Sequence, residues 1–315
     1  MKILTIVASS CLALALSWSA STEAVASDWP HFRGPFYNGS TDEKGLPDNF
    51  SLTENVAWEA PLPGPSAATP IVVGDHVFVS SVNAEDKTLV AMAFDRKTGK
   101  KLWEHTIDNQ VERDDRSNFA SPSPVTDGKI VVFFYGTGDM VAYDLEGKQV
   151  WERDIVQDYG EFAFLWTFAS SPLLWKDKLY LQVLQRDRAV DGRGFRDRKN
   201  ESYLLAMDPN TGKSLWRHVR PSQARSESLE AFSSPIPFTG KGGEAILIAG
   251  GDDLTAHDPA DGSELWRWGT WNPDRITHWR LVPSPVASED IALACAPKNA
   301  PVFAIKTDGK GKLDD

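Results

Sequence analysis

One phrase that recurs along the chain constrains its fold more than any other feature. "AFDRKTGKKLW" occupies 93–103, and it returns as "AYDLEGKQVW" at 142–151, "AMDPNTGKSLW" at 206–216 and "AHDPADGSELW" at 256–266. An alanine, an aspartate, a glycine and a tryptophan recur in that order. The tryptophans stand at 103, 151, 216 and 266, in steps of 48, 65 and 50. A period of about fifty residues marks a supersecondary unit that cannot bury its own face and must stack on its neighbours. The chain is therefore expected to form a stacked or circular array.

The surroundings of each copy say what the unit is. A small residue and a proline open each unit: "AATPIVV" at 67, "SPSPV" at 121, "SSPLLW" at 170, "SSPIPF" at 233 and "PSPVAS" at 283. After most of them a turn leads into a short run such as "DHVFVSS", "KIVVFFYG", "KLYLQVL" or "EAILIAG". Runs rich in Val, Ile, Leu, Phe and Tyr, bounded by Gly, Asp and Lys, read as strands. Each unit is thus four antiparallel strands joined by tight turns, which is the blade of a β-propeller. The fold class is all-β, with about five blades near 66–106, 119–154, 168–219, 231–269 and 281–315, the last incomplete. Asp95, Asp144, Asp208 and Asp258 begin the repeated turn, and Asp95, Asp208 and Asp258 are expected to cap it through a side-chain oxygen. Gly99, Gly147, Gly212 and Gly262 are expected at the left-handed position that ends it. Trp103, Trp151, Trp216 and Trp266 then fall on outer strands, where each ring can hide roughly 200 Å² against the neighbouring blade.

The chain opens with Lys2, an apolar run from Ile3 to Trp18, and Ala24-Val25-Ala26. That pattern reads as a signal peptide, 1–26, cleaved after Ala26, and implies a periplasmic or secreted protein. The residues before Cys11, Ala8-Ser9-Ser10, lack the leucine of a lipid-anchor site, and no later stretch has the roughly 20 apolar residues of a membrane span. Of the two cysteines only Cys295 follows the leader, so no internal disulfide is available and packing must hold the fold. The formal charge of −11 argues against nucleic acid or an anionic membrane surface as partner.

The repeat Ala-x-Asp-x-x-Thr-Gly-x-x-x-Trp, complete at 93–103 and 206–216 and degenerate at 142–151 and 256–266, resembles the tryptophan-docking motif of the PQQ-like (quinoprotein-type) β-propellers. "DWPHFRGPFYNGS" at 28–40 is similar to the Trp-Pro-x-x-Arg-Gly opening of exported bacterial members of that superfamily. The resemblance covers nearly the whole mature chain and is specific for fold; activity is another matter, because dehydrogenases and noncatalytic propellers share it. It implies seven or eight blades. The fifth unit has Lys306 in place of aspartate and stops before any tryptophan. Two expectations follow: blades missing beyond Asp315, which is favoured, or closure of the last blade by 54–62, where Trp58 would lie on its outer strand. Residues 27–53 would form an N-terminal cap.

A quinoprotein dehydrogenase of this resemblance would need an aspartate base, Glu and Asn ligands to Ca²⁺ beside PQQ, and Arg or Lys on the quinone. No residue here matches those positions one by one, so no catalytic, cofactor or metal residue is assigned. Other patterns fail on their spacing. "TGKS" at 211–214 lacks the first glycine of a phosphate loop, and the histidines show no H-x-H or H-E-x-x-H spacing. "GPSAA" at 64–68 is no nucleophile elbow, and "DGRGFRDRKNE" at 191–201 reads as a solvated insertion.

If a site exists, the connections between blades would carry it. The segments 114–121, 160–171, 226–234 and 275–284 are expected to gather on one face near the axis, bringing Asn118, Phe162, Trp166, Glu230, His278, Trp279 and Arg280 together. These residues either plug the channel or form a polar and aromatic pocket, with Arg280 and His278 as anchors for an anionic group. The insertion at 185–202 would overhang this face. The favoured expectation is a noncatalytic exported propeller that binds another exported protein or a surface polymer. The alternative is a PQQ-dependent alcohol or sugar dehydrogenase using PQQ with Ca²⁺.

Overall fold

Short apolar runs, each ended by a residue that tolerates a sharp turn, account for almost all of the regular structure. The computed structural model describes residues 27–108, 111, 118–269, 271–298 and 300–313. The leader read at 1–26 lies outside them. The first blade runs β1 (Ile71–Val73), β2 (His76–Asn83), β3 (Thr88–Asp95) and β4 (Lys101–Asp108). The second is β5 (Val125–Thr126), β6 (Ile130–Phe134), β7 (Asp139–Asp144) and β8 (Gln149–Asp154), followed by the one-turn helix α1 (Ile155–Tyr159). The third is β9 (Leu173–Trp175), β10 (Lys178–Val183), β11 (Tyr203–Met207) and β12 (Ser214–Val219). The fourth is β13 (Ile236–Gly240), β14 (Gly243–Gly250), β15 (Asp253–His257) and β16 (Glu264–Trp268). Each of the four is an antiparallel meander in chain order. The chain is a β-propeller, and its fifth blade has three strands, β17 (Val286–Ala287), β18 (Ile291–Cys295) and β19 (Val302–Lys306).

The repeated phrase now has a physical account at every letter. Ala93, Ala142, Ala206 and Ala256 stand directly opposite Trp103, Trp151, Trp216 and Trp266 in the outer strand pair. A larger side chain there would compete with the indole for the same space. Asp95 Oδ1 accepts from the Lys97 and Thr98 amides and the Thr98 hydroxyl, closing the turn. Asp208 and Asp258 accept from the amides of Asn210 and Ala260 in the same way. Gly99, Gly147, Gly212 and Gly262 have φ of 68°, 90°, 69° and 79°, the left-handed region that glycine enters without strain. They do a second job that the motif does not announce. A Cβ on Gly147, Gly212 or Gly262 would come within 2.7 Å of the ring of Trp103, 2.7 Å of Trp151 or 2.5 Å of Trp216, each from the preceding blade. The indole lies flat on the bare backbone of the next turn.

The ring nitrogen then ties the blades together. Trp103 Nε1 donates to the Leu145 carbonyl at 2.9 Å and Trp151 Nε1 to the Pro209 carbonyl at 2.7 Å, in each case the residue after the turn aspartate. The third junction departs from this rule. Trp216 Nε1 is enclosed without an acceptor among the described residues, and the equivalent Pro259 carbonyl is approached instead by the Tyr180 hydroxyl at 3.5 Å.

Trp58 follows the docking rule without the expected strand. Its ring lies on Gly99 and its Nε1 donates to the Arg96 carbonyl at 2.8 Å. Segment 54–62 nevertheless forms no strand and pairs with no sheet, so the expectation that it closes the last blade as an outer strand is corrected. Docking of the indole needs only a glycine turn and a carbonyl, whereas a strand needs a neighbouring edge. Ala60, from the same segment, packs on the outer face of the first blade against Val79, Val90, Met92 and Phe94.

The core consists of layers between blades rather than one central mass. The first and second blades share a cluster around Phe78, Phe133 and Tyr143, and the second and third one around Phe134, Phe168 and Leu205. Near the inner strands the residue before each opening proline forms a relay. The amide of Thr69 donates to Ser123 Oγ, that of Ser123 to Ser171 Oγ, that of Ser171 to Ser234 Oγ and that of Ser234 to Ser284 Oγ, at 2.8–2.9 Å. One hydroxyl per blade thus satisfies one buried amide of the blade before it.

Candidate functional site

The connections between blades gain their shape from hydrogen bonds that cross from one to the next. After β8, the Asp154 side chain caps α1 by accepting from the amides of Val156 and Gln157 at 2.8 and 3.1 Å. The chain then passes through Phe162 to Phe168, whose rings stack at 4.7 Å. Between the third and fourth blades a single 3-10 turn, Ser226–Leu229, delivers Glu230. This strip is laced to the next connection. Ser228 Oγ donates to the Ile276 carbonyl and accepts from the Trp279 amide, while the Leu281 amide donates to the Glu230 carbonyl at 3.2 Å.

Glu230 is the centre of this arrangement. Its side chain is fully buried, and Oε1 accepts from the Leu165 amide at 3.0 Å and from Arg186 Nε at 2.5 Å. Oε2 is enclosed with no hydrogen-bond partner among the described residues. Burial raises the Glu230 pKa, and the Leu165 amide, Arg186 and Arg193 oppose that shift. Arg193 also donates to the Leu165 carbonyl at 2.7 Å, so both backbone groups of Leu165 are held by this cluster. The Glu230 carboxylate therefore fastens its own connection to the 160–171 connection and to the insertion, while its backbone carbonyl holds the 275–284 connection.

The residues expected on this face separate into three kinds. Trp166, Arg280 and the 226–230 strip come together: the Arg280 guanidinium lies 5.8 Å from the Trp166 ring centroid and pairs with Glu227. Trp279 is half-buried beside them and His278 is exposed. Phe162 belongs to the core between the second and third blades, and Glu230 is internal. Asn118 serves its own turn, with Oδ1 accepting from the Ala120 amide at 2.7 Å. Residues 112–117 of the first connection lie outside the described residues.

Sequence reading passed over Arg186, Arg193 and Glu227. The stretch 191–201, which reads in sequence as a solvated insertion, keeps exposed charges at Asp191 and at 196–199, yet Arg193 within it reaches the axial connection. The Arg186 amide donates to the Ala163 carbonyl, and Asn200 is buried against the Phe195 backbone. The alternation of acids with arginines was the available signal, since ion pairs across connections look the same in sequence as a solvated loop.

This donor set does not fit a quinone held by Ca²⁺. Glu230 is already paired with arginine and closed to solvent, Asp252 is buried against Asn272 and Arg275, and the Trp166 and Phe162 rings are stacked by Arg280 and Phe168. A structural role makes a clear prediction for Glu230→Gln. The amide keeps an acceptor for Leu165 but loses the charge on Arg186, so stability measured by urea unfolding is expected to fall by about 2 kcal/mol.

Three comparisons bear on this geometry. Residues 52–183 and 163–312 match the family model described as outer membrane protein assembly factor BamB. Polyvinylalcohol dehydrogenase of Sphingopyxis sp. (strain 113P3) is 25% identical over 202 residues, covering 63% of this chain and 29% of that protein. Polyvinylalcohol dehydrogenase of Pseudomonas sp. is 26% identical over 164 residues, covering 51% of this chain and 24% of that protein. The chain thus spans less than a third of the length of these curated relatives. Among solved structures, quinohemoprotein alcohol dehydrogenase from Comamonas testosteroni superposes with a TM-score of 0.56 at 16% identity, over 90% of this chain and 48% of that one. At that identity the likeness is one of fold.

Proposed function

Because the chain belongs to the family of the outer membrane protein assembly factor BamB model, a PQQ-like β-propeller family, we propose that it is an exported, noncatalytic scaffold that binds a partner protein through its axial loop face. The observation that carries this reading is the Trp166–Arg280–Glu227 stack, seated on loops that Glu230 has already fastened. Aromatic and arginine side chains held in place before binding are the usual anchors of protein interfaces, because little entropy is lost when a partner covers them. Exposed His278 and half-buried Trp279 extend the same surface. The leader read at 1–26 supports export. No helix among the described residues is long and apolar enough to cross a membrane.

The test is crosslinking in the envelope of the native host with the tagged full chain, the Trp279→Ala and Arg280→Ala variants, and a Lys129→Ala control far from the face. Loss of the crosslinked protein by about tenfold in both face variants, with the control unchanged, is expected. Equal capture by all three, or capture of a surface polymer in place of protein, would refute the reading. The activity named for the two curated relatives favours a second one, a PQQ-dependent dehydrogenase. Saturable, Ca²⁺-dependent quenching of tryptophan fluorescence by micromolar PQQ would establish that reading in place of the first.

A further inference from the structure

The turn between the first two strands of a blade breaks its own rule in the third blade. In the first blade Gly74 takes the left-handed step of that turn, with φ of 53°, and the second blade's turn likewise holds Gly128 at 85°. Lys176 stands in the third blade where Gly74 stands in the first, one residue past the paired end of the inner strand, and its φ is 56°. Glycine enters that region without strain and lysine does not, and strain of this kind collects at ligand sites. The Lys176 ammonium lies 4.8 Å from the Trp175 ring centroid and pairs with Glu244 of the fourth blade.

Beside this turn the seam between the third and fourth blades is incomplete. At the first two seams the indole donates to the carbonyl that follows the turn aspartate, whereas Trp216 makes no such bond. Among the described residues the Pro259 carbonyl receives one hydrogen bond, the long one from the Tyr180 hydroxyl. Tyr180 is 1% exposed and stands where the first blade has Phe78 and the second Val132, so its hydroxyl is peculiar to this seam among the three. A cavity of about 300 Å³ opens here, bounded by Trp175, Lys176, Tyr180, Glu244, Asp258 and Pro259. Its turns lie at the opposite end of the blades from the connections that form the axial face.

The lining sets one aromatic ring among donors and acceptors whose charges are matched. Lys176 pairs with Glu244 and Lys178 with Asp177, and Asp258 Oδ1 closes its own turn by accepting from the Ala260 amide. A cation would meet two lysines, and an anion three carboxylates. A neutral ring with C–H groups on one face and hydroxyls around its edge meets neither objection, since hydroxyls both donate and accept. The volume is at the lower end for small-ligand pockets, which suits a single ring.

We propose that the seam between the third and fourth blades binds a hexopyranose ring, with its C–H face on Trp175 and its hydroxyls on the Pro259 carbonyl, the Tyr180 hydroxyl and the Lys176–Glu244 pair. The Lys176 side chain, 51% exposed, swings off the indole to admit the sugar. This site stands independently of the axial face.

The experiment titrates the isotope-labelled full chain with the methyl glycosides of glucose, galactose and mannose at millimolar concentration, read by the indole N–H signals in nuclear magnetic resonance. Saturable shifts of Trp175 and Trp216 are expected with at least one glycoside, while Trp103 and Trp151, at the closed seams, stay unmoved. A trisaccharide of the sugar that binds distinguishes the sources: tighter binding marks a polysaccharide, equal binding a free sugar. Trp175→Ala is expected to weaken binding by about tenfold. Lys176→Gly is expected to raise the melting temperature by relieving the turn, yet to weaken binding by about fivefold. No saturable shift with any of the three glycosides, or the same shifts with choline or phosphate in their place, would overturn the proposal. Lys176→Gly keeps the test decisive even if the Trp175→Ala chain fails to fold.

Discussion

Trp151→Ala is expected to lower unfolding free energy by about 3–5 kcal/mol, the range for removing a buried tryptophan from a packed layer. The indole is 8% exposed, lies on Gly212 and donates to the Pro209 carbonyl at 2.7 Å, so its removal opens the seam between the second and third blades. Gly212 supplies a control that separates docking from simple burial. In the natural chain Gly212→Ala introduces both a strained backbone and a methyl group within 2.7 Å of the ring, and a loss of about 3 kcal/mol is expected. With Trp151 already replaced by Ala the ring is gone and the backbone strain at φ 69° remains, about 1 kcal/mol. A coupling of about 2 kcal/mol in this double-mutant cycle, measured by urea unfolding, establishes the contact. Strict additivity would mean that the tryptophan stabilises the seam through area alone.

Acid is expected to weaken the fold well above the pH at which ordinary carboxylates protonate. His257 is fully buried. Its Nδ1 donates to the Gly262 carbonyl and its Nε2 accepts from the Thr255 hydroxyl, both at 2.9 Å, so the neutral ring satisfies its site. Thr255 Oγ1 in turn accepts from Arg220 Nε at 2.8 Å, and the nearby guanidinium charge adds to burial in opposing a second ring proton. Burial lowers the His257 pKa from 6.5 to about 4. His31, 5% exposed and stacked on Tyr37 at 4.1 Å, is lowered to about 4 for the same reason.

Between pH 6.5 and 4 the unfolded chain binds protons at both histidines that the folded chain refuses, so stability is complete above pH 6.5 and falls toward pH 4. Each histidine contributes a loss of about 3 kcal/mol across that window. Glu230, Asp252 and Asp253 act in the opposite sense, since burial raises their pKa and the folded chain takes up their protons first. The expected result is a drop in unfolding free energy from pH 7 to pH 4.5 that shrinks in His257→Gln. A flat profile through that window would show that the two rings are solvated.

Much of this design was legible in one dimension because a repeat samples its own constraints several times. The order Ala, Asp, Gly, Trp is dictated locally: the aspartate closes a turn within its own hairpin, the glycine occupies a left-handed step, and the alanine faces the indole across one strand pair. Those contacts span ten residues, so sequence spacing encodes them directly. The prolines that open each unit likewise mark the hydroxyl relay of Ser123, Ser171, Ser234 and Ser284, although nothing local says that each hydroxyl serves the preceding blade.

The axial face was legible only as a list of connections. That Glu230 is an internal fastener and Arg280 a presented group depends on Arg186 and Glu227, which reach them through different connections. Trp58 shows the same division. Its type and spacing announced a docking indole, while only the structure shows that 54–62 joins none of the described sheets. The sequence by itself determined the blade, its turns and the order of its parts, because these arise from short-range sterics and hydrogen bonds repeated about every fifty residues. Only the tertiary structure decided which charged groups are buried and paired and where a seam between blades opens into a cavity. Those outcomes depend on desolvation and on neighbours brought together from distant points of the chain.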